Sequence, residues 1–296
     1  MKMKRLLLLL VVSLFAAAIL VGCAEDDTED TTNNDNQTED VETNDDSDGA
    51  DSELEGTITM AGSTSVQPLS EELATVFMDK YPDVRLEVSG GGSGSGITAA
   101  QENTADFGAV SREIREDETG INTYTIAIDG IAIIVHPDNA ISDIALEDVQ
   151  KIFSGEITNW SEVGGADEAI VIVSREEGSG TRGAFDDIVL GDAALVDTAI
   201  IQNSSGAARE SVSSEPNAIG YVSTGSLTDN VKALAVDGIE PTVEDIVSGA
   251  YTVARPFNYV ANENESLSEV AQAFLDFVLS EEGQKVVEQQ GFVPVK

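Results

Sequence analysis

An α/β fold is the class this sequence predicts, and three observations carry it. Beyond residue 55, short apolar runs alternate with helix-length amphipathic segments. One run, 170–173, is continuously apolar, as in a parallel strand covered on both faces. Three of the runs feed turns rich in glycine and hydroxyl side chains that open helices. These turns are Gly62-Ser63-Thr64-Ser65, Gly92-Ser93-Gly94-Ser95 and Gly178-Ser179-Gly180-Thr181.

The chain begins with a targeting segment over 1–22. Lys2, Lys4 and Arg5 precede an apolar stretch too short for a stable span, ending in Leu20-Val21-Gly22-Cys23. That ending resembles the bacterial lipobox, whose cysteine is acylated and becomes the mature N-terminus. Cys23 is the single cysteine of the chain, so the folded part is expected to hold no disulfide and no thiol chemistry. Acyl chains on Cys23 would hold the protein on the outer face of the cell membrane without a spanning helix.

Residues 23–55 carry the lipidation site and then an acidic tether. Fifteen of the 55 acidic residues fall between Glu25 and Glu55, with no Lys or Arg among them. Such a run buries too little apolar surface to offset chain entropy, and its charges repel one another. It is expected to be a disordered spacer.

The charge does not end there. The chain has 15 basic residues and a formal net charge of −40, of which about −28 lies beyond the tether. Nucleic-acid binding wants a basic face and is excluded on this ground. For an anion binder the surplus must be screened by a salty habitat or overridden by dipoles within the site. An alkaline habitat is a third account, and composition does not separate them.

Residues 56–296 suffice for one large domain or two of ordinary size. A strand is expected at 57–61 and a helix at 66–80, with Val66, Leu69, Leu73, Val76 and Phe77 on one face and Pro68 in the first turn. A strand at 84–88 leads into Gly90–Gly96, which opens a short helix at 97–103. A brief strand at 106–110 ends at Ser111-Arg112. A long strand spans 126–135, interrupted by Asp129-Gly130, and a helix covers 146–153. After the strand at 170–173, a helix starts near Thr181-Arg182. Strands at 218–222 and 251–259 and helices at 267–279 and 281–290 complete the chain.

A strand that feeds a glycine turn at a helix start presents unpaired N–H groups and the positive end of a helix dipole, which suits an anion. Ser179 and Thr181 add hydroxyl donors. Arg175, at the strand end, can bring a forked guanidinium, with Glu177 holding it in orientation. One such turn is an ordinary capped loop; three in register with a sheet, where ligands gather at the carboxyl ends of strands, point to a small oxyanion.

At this level of detail the domain resembles the PstS family, the phosphate-binding receptors of phosphate ABC importers. The resemblance covers essentially all of 56–296. It is carried by Ala61-Gly62-Ser63-Thr64-Ser65-Val66-Gln67-Pro68-Leu69, Gly90–Gly96, Asp106-Phe107-Gly108-Ala109-Val110-Ser111-Arg112, Gly178-Ser179-Gly180-Thr181, Ala218-Ile219-Gly220-Tyr221 and Gly291-Phe292-Val293-Pro294-Val295. It implies a two-lobed, type II periplasmic-binding-protein-like fold with a two-strand hinge. One lobe would take about 56–128 and 257–296, the other about 129–256. It also implies a partner set of inorganic phosphate and the permease subunits of an ABC transporter. Family phosphate contacts fall on Thr64, Ser65, Ser93, Arg175, Ser179, Gly180 and Thr181, with Glu177 as the arginine's partner. Where some members carry an acidic residue that accepts a ligand proton, this chain has Ser111, which repels sulfate less than a carboxylate would. Arg112 either adds charge to the site or pairs with Glu113 or Glu116.

An enzyme is not expected. The chain has no Gly-x-Ser-x-Gly elbow and no phosphate-loop lysine motif. Its one histidine, His136, has no nucleophile partner by spacing, and no His/Cys spacing suggests a metal or other cofactor. The alternative is a receptor or sensor for another oxyanion, including phosphate sensing coupled to a membrane kinase. Trp160 reads as a packing residue.

Overall fold

A computed structural model describes residues 54–295. The signal segment, Cys23 and all of the tether except Leu54 and Glu55 lie outside the described residues. No helix among the described residues is long and apolar enough to cross a membrane.

The first βαβ unit runs from β1 (Gly56–Gly62) through α1 (Gln67–Lys80) to β2 (Val84–Gly90), the two strands parallel. Leu69, Leu73 and Phe77, spaced at i, i+4 and i+8, form the buried stripe of α1. Next come α2 (Ser93–Gln101) and β3 (Phe107–Val110), which pairs in parallel with β1 on the side opposite β2. Helix α2 begins within the glycine run itself, earlier than the 97–103 expected.

The long strand β4 (Ile121–Val135) starts five residues before the apolar run that announced it. Its polar first half is edge-like in sequence yet pairs antiparallel with β11 (Ala254–Asn262). Between β4 and β11 the chain lays down β5 (Asp143–Ile144), α3 (Leu146–Ser154), β6 (Val171–Arg175), α4 (Gly180–Phe185), β7 (Ile200–Gln202), α5 (Ser205–Ser214), β8 (Ala218–Ser223), β9 (Lys232–Ala233), β10 (Ala235–Val236) and α6 (Val243–Ser248). Helices α7 (Glu269–Val278) and α8 (Glu281–Gln289) follow β11, capped by Ser268 and Ser280.

The main sheet has the order β2-β1-β3-β11-β4-β8-β6-β7. Strand β4 is its pivot: up to Gly130 it pairs with β11, and from Ile131 it pairs with β8. The apolar core changes over at the same point. Ile58, Phe77, Phe107, Ala127, Phe257 and Phe274 belong to one cluster, built from α1, α7, α8 and the strands beside them. Ile131, Phe153, Trp160, Phe185, Tyr221 and Val253 belong to another. Each large ring fully buried in this way is worth about 1.5–3 kcal/mol. Trp160 is indeed packing: it is 2 % exposed, and its indole N–H donates to the Asn217 carbonyl at 3.0 Å.

Candidate functional site

Strands β1, β2 and β3 run parallel, as do β6, β7 and β8, and the turns at their carboxyl ends meet. Ser63, Thr64 and Ser65 follow β1; Ser93 opens α2 after β2; Ser111 follows β3. From the other side come Arg175 at the end of β6, Ser179 to Thr181 at the start of α4, and Ser205 at the start of α5. Of these, Ser63, Ser65, Ser93, Ser111, Arg175, Ser179, Thr181 and Ser205 are buried to 3 % exposure or less. Buried polar atoms at this density must find partners, and here they find one another.

Two hydroxyl groupings result. In the first, Arg175 donates from Nη1 to Ser205 Oγ at 3.0 Å and from Nη2 to Thr64 Oγ1 at 3.2 Å. Ser65 Oγ bonds both Thr181 Oγ1 at 2.7 Å and Ser205 Oγ at 2.9 Å, and the Ser205 amide donates to Thr64 Oγ1 at 3.2 Å. In the second, Ser63 Oγ donates to Ser111 Oγ at 2.8 Å, and the Ser111 amide donates to Ser93 Oγ at 3.1 Å. Ser63 Oγ also accepts the Ser65 amide at 3.2 Å, which leaves its proton for Ser111.

Gly180 joins the two groupings. A Cβ there would overlap Ser93 Oγ and lie 2.6 Å from Ser111 Oγ, so only glycine lets α4 close on α2 and β3. Gly92 does the same from the facing side, with φ +87° and the Gly178 carbonyl where a Cβ would be, 2.7 Å away. The Gly94 amide donates to that Gly178 carbonyl at 3.1 Å. Ser179 caps α4, its Oγ accepting the Arg182 amide at 3.2 Å. Arg182 in turn donates to the Arg175 carbonyl at 2.9 Å and fixes the strand end from behind.

Chemically, the result is a buried cluster of hydroxyls, helix-start amides and one guanidinium, and these residues include no nucleophile–base pair. Among the described residues no cluster of His, Cys, Asp and Glu could hold a metal ion. His136 Nδ1 accepts the Asp138 amide at 3.1 Å, a local turn contact. What such a set can do is hold a small oxyanion stripped of water.

Comparison with known proteins agrees. Residues 37–282 match the model of the PBP superfamily domain. The chain is 35 % identical over 268 residues to the phosphate-binding protein PstS of Bacillus subtilis, covering 88 % of each chain. It belongs to the PstS family. PstS of Borreliella burgdorferi is 30 % identical over 252 residues, with 81 % of this chain and 90 % of the relative covered. The crystal structure of a Clostridium perfringens protein assigned as a phosphate ABC transporter substrate-binding protein, with bound phosphate, is 42 % identical. It superposes with a TM-score of 0.79, over 81 % of this chain and all of that one. The fold is thus the mixed α/β fold of periplasmic binding proteins, and PstS proteins are receptors, not enzymes.

Set against this PstS framework, the structure brings together Thr64, Ser65, Ser93, Ser111, Arg175, Ser179, Gly180 and Thr181, and corrects two supporting residues. The carboxylate that orients Arg175 is Glu176, not Glu177. Glu176 receives Arg175 Nε and Nη2, each at 3.0 Å, while Glu177 is exposed. The chain turns immediately after Arg175, which carries the next side chain back over the guanidinium and sends the following one into solvent. Arg112 neither joins the hydroxyls nor pairs with Glu113 or Glu116 side chains. It forks onto Glu118 at 2.6 and 2.7 Å and packs beside Gly183.

Sequence reasoning missed Ser205. It follows Gln202-Asn203-Ser204, a fourth strand–hydroxyl–helix turn, in which Ser204 caps α5 by accepting the Ala207 amide at 3.1 Å. The signal was present, but the Ile200–Gln202 strand feeding it is too short to stand out from a loop.

Proposed function

We propose that this chain is an extracytoplasmic receptor that binds inorganic phosphate and delivers it to the permease subunits of an ABC importer. The convergence of Thr64, Ser65, Ser93, Ser111, Ser179, Thr181 and Ser205 with Arg175 carries the reading. Arg175 supplies the charge and the fork, Glu176 its orientation, and the hydroxyls and the Gly180 and Thr181 amides supply the remaining donors. In a closed, dry site such donors replace the hydration shell of the anion. Ser111 can accept a hydrogen bond from a protonated phosphate oxygen, and phosphate is favoured over sulfate to that extent.

Binding is coupled to closure of two lobes, 56–128 with 257–296 and 129–256, about β4 and β11. The change of core cluster along these two strands supports that division. The receptor is held at the membrane by lipid on Cys23, after removal of 1–22, with the acidic run as its tether; the Leu-Val-Gly-Cys sequence supports this.

Calorimetric titration with phosphate, sulfate, arsenate and molybdate tests the ligand. Phosphate should bind, with sulfate weaker; binding of another oxyanion without phosphate overturns the assignment. Mass spectrometry of the mature protein should find acylated Cys23 at the N-terminus, and Cys23→Ser should release or leave unprocessed the chain.

A further inference from the structure

Beside the hydroxyl site lies a second buried ion pair that the anion chemistry does not use. Asp129 on β4 and Arg255 on β11 are direct partners in the antiparallel ladder, and their side chains are 0 % and 1 % exposed. Arg255 Nε and Nη2 donate to Asp129 Oδ2 at 3.1 and 3.0 Å. Asp129 Oδ1 accepts the hydroxyls of Ser223 at 2.8 Å and Thr224 at 3.0 Å. The remaining guanidinium nitrogen, Nη1, donates to the main-chain carbonyl of Ser111 at 2.9 Å.

Removing two charges fully from water is costly, and apolar residues of the same volume often hold a fold as well. Stability alone therefore does not explain the pair; its other contacts do. The pair sits where β4 leaves β11 for β8, between Ala127 and Phe257 of one core cluster and Ile131 and Val253 of the other. It ties two strand ends, Ser111 after β3 and Ser223 at the end of β8, to the β4–β11 crossing. Beside it, Asn258 on β11 donates to the Arg112 carbonyl at 3.0 Å. Both carbonyls of the Ser111-Arg112 step are thus held from β11, while the Ser111 amide and hydroxyl engage Ser93 and Ser63. A carbonyl oxygen next to an anion site would also repel its ligand, and Arg255 covers it with a cationic donor.

We propose that Asp129 and Arg255 are positioning residues of the anion site. Arg255 fixes the Ser111 peptide, and with it the Ser63–Ser111–Ser93 hydroxyl chain; Asp129 anchors Arg255 to Ser223 and Thr224 at the end of β8. The inference rests on the phosphate-receptor reading.

The test is a cycle in the full chain purified in detergent: parent, Arg255→Gln, Ser111→Ala and the double variant, each titrated with inorganic phosphate. Arg255→Gln should weaken binding about tenfold or more, and Ser111→Ala should cost less in that background than in the parent. Asp129→Leu with Arg255→Met, which removes both charges and keeps the volume, should hold the parent thermal midpoint yet bind phosphate about tenfold more weakly. This variant carries the test if Arg255→Gln fails to fold. Hydrogen exchange at the Ser111 amide should accelerate in either variant without any ligand. Parent affinity in the Leu/Met variant, full additivity of the cycle, or unchanged exchange at Ser111 would overturn the proposal. A parent that fails to bind phosphate would instead sink the phosphate reading, and the exchange measurement would still decide this one.

Discussion

Arg112 and Arg175 are alike in burial and unlike in what they leave over. They are 4 % and 2 % exposed, and each forks onto a glutamate near it in sequence. Arg112 puts both terminal nitrogens on Glu118, and its Nη1 also donates to the Glu113 carbonyl at 2.8 Å. Its contacts close locally. Arg175 meets Glu176 along one edge and turns Nη1 and Nη2 to the hydroxyls of Ser205 and Thr64. A buried arginine is a structural clamp when its N–H groups end on its own loop, and a ligand-holding group when they end on hydroxyls brought in by other elements. Burial and pairing do not distinguish the two; the remaining donors do.

The contrast breaks most directly at the two arginines. Arg175→Ala should cost phosphate binding about 2–5 kcal/mol, the scale of losing one side of a buried charge-assisted contact, or roughly 30-fold to several thousandfold in affinity. Arg175→Lys should lose less yet remain impaired, because an ammonium cannot contact Glu176, Ser205 and Thr64 together. Titration at matched ionic strength measures both, and parent-like affinity in Arg175→Ala would dismantle the site. Arg112→Ala should do the converse. It should lower stability by about 2 kcal/mol, as for hydrogen bonds to a charged group, and leave phosphate affinity near that of the parent. Denaturant unfolding beside the same titration separates the effects.

The fold class and the hydroxyl turns were legible because they are local: a strand, a glycine turn and a helix start are contiguous in sequence. What was not legible depends on turn geometry or on strand register. Arg175-Glu176-Glu177 offers two carboxylates, and only the sharp turn after Arg175 selects the nearer. Ser205 sits behind a strand of three residues. Asp129 could be read only as a polar break in an apolar run, because its partner Arg255 arrives through the ladder from far along the chain. Arg112 meets Glu118 rather than its nearer acidic neighbours because the loop after β3 folds back, with the Arg115 amide donating to the same carboxylate at 2.9 Å.

The two glutamates sharpen the comparison at lower energy. Glu176→Gln keeps the volume but weakens the hold on Arg175, and phosphate affinity should fall by about 1–2 kcal/mol. Glu177→Gln removes an exposed charge and should change affinity by no more than about 0.5 kcal/mol at moderate salt. Equal losses in the two titrations would mean that Glu177 acts on Arg175 after all.

The smallest expected effect is a pH dependence confined to the Arg112 clamp. Burial pushes the Glu118 carboxyl up, but the hydrogen bonds from Arg112 and the Arg115 amide, with the charge of both arginines, outweigh it and hold Glu118 below the ordinary glutamate range. A carboxylate with a depressed folded-state pKa stabilises the fold above its unfolded pKa. It loses that contribution as pH falls through the ordinary range, about 4.3 for glutamate, towards the lower folded value. Thermal midpoints of the parent and Glu118→Gln should therefore differ at neutral pH and converge as pH drops below about 4. Because the clamp is closed off from the hydroxyls, the same substitution should leave phosphate affinity at neutral pH unchanged. A constant gap in midpoint across the acid range would mean that Glu118 contributes through its shape and not through its charge. A loss of phosphate binding in Glu118→Gln would join the two arginines into one site and erase the distinction between them.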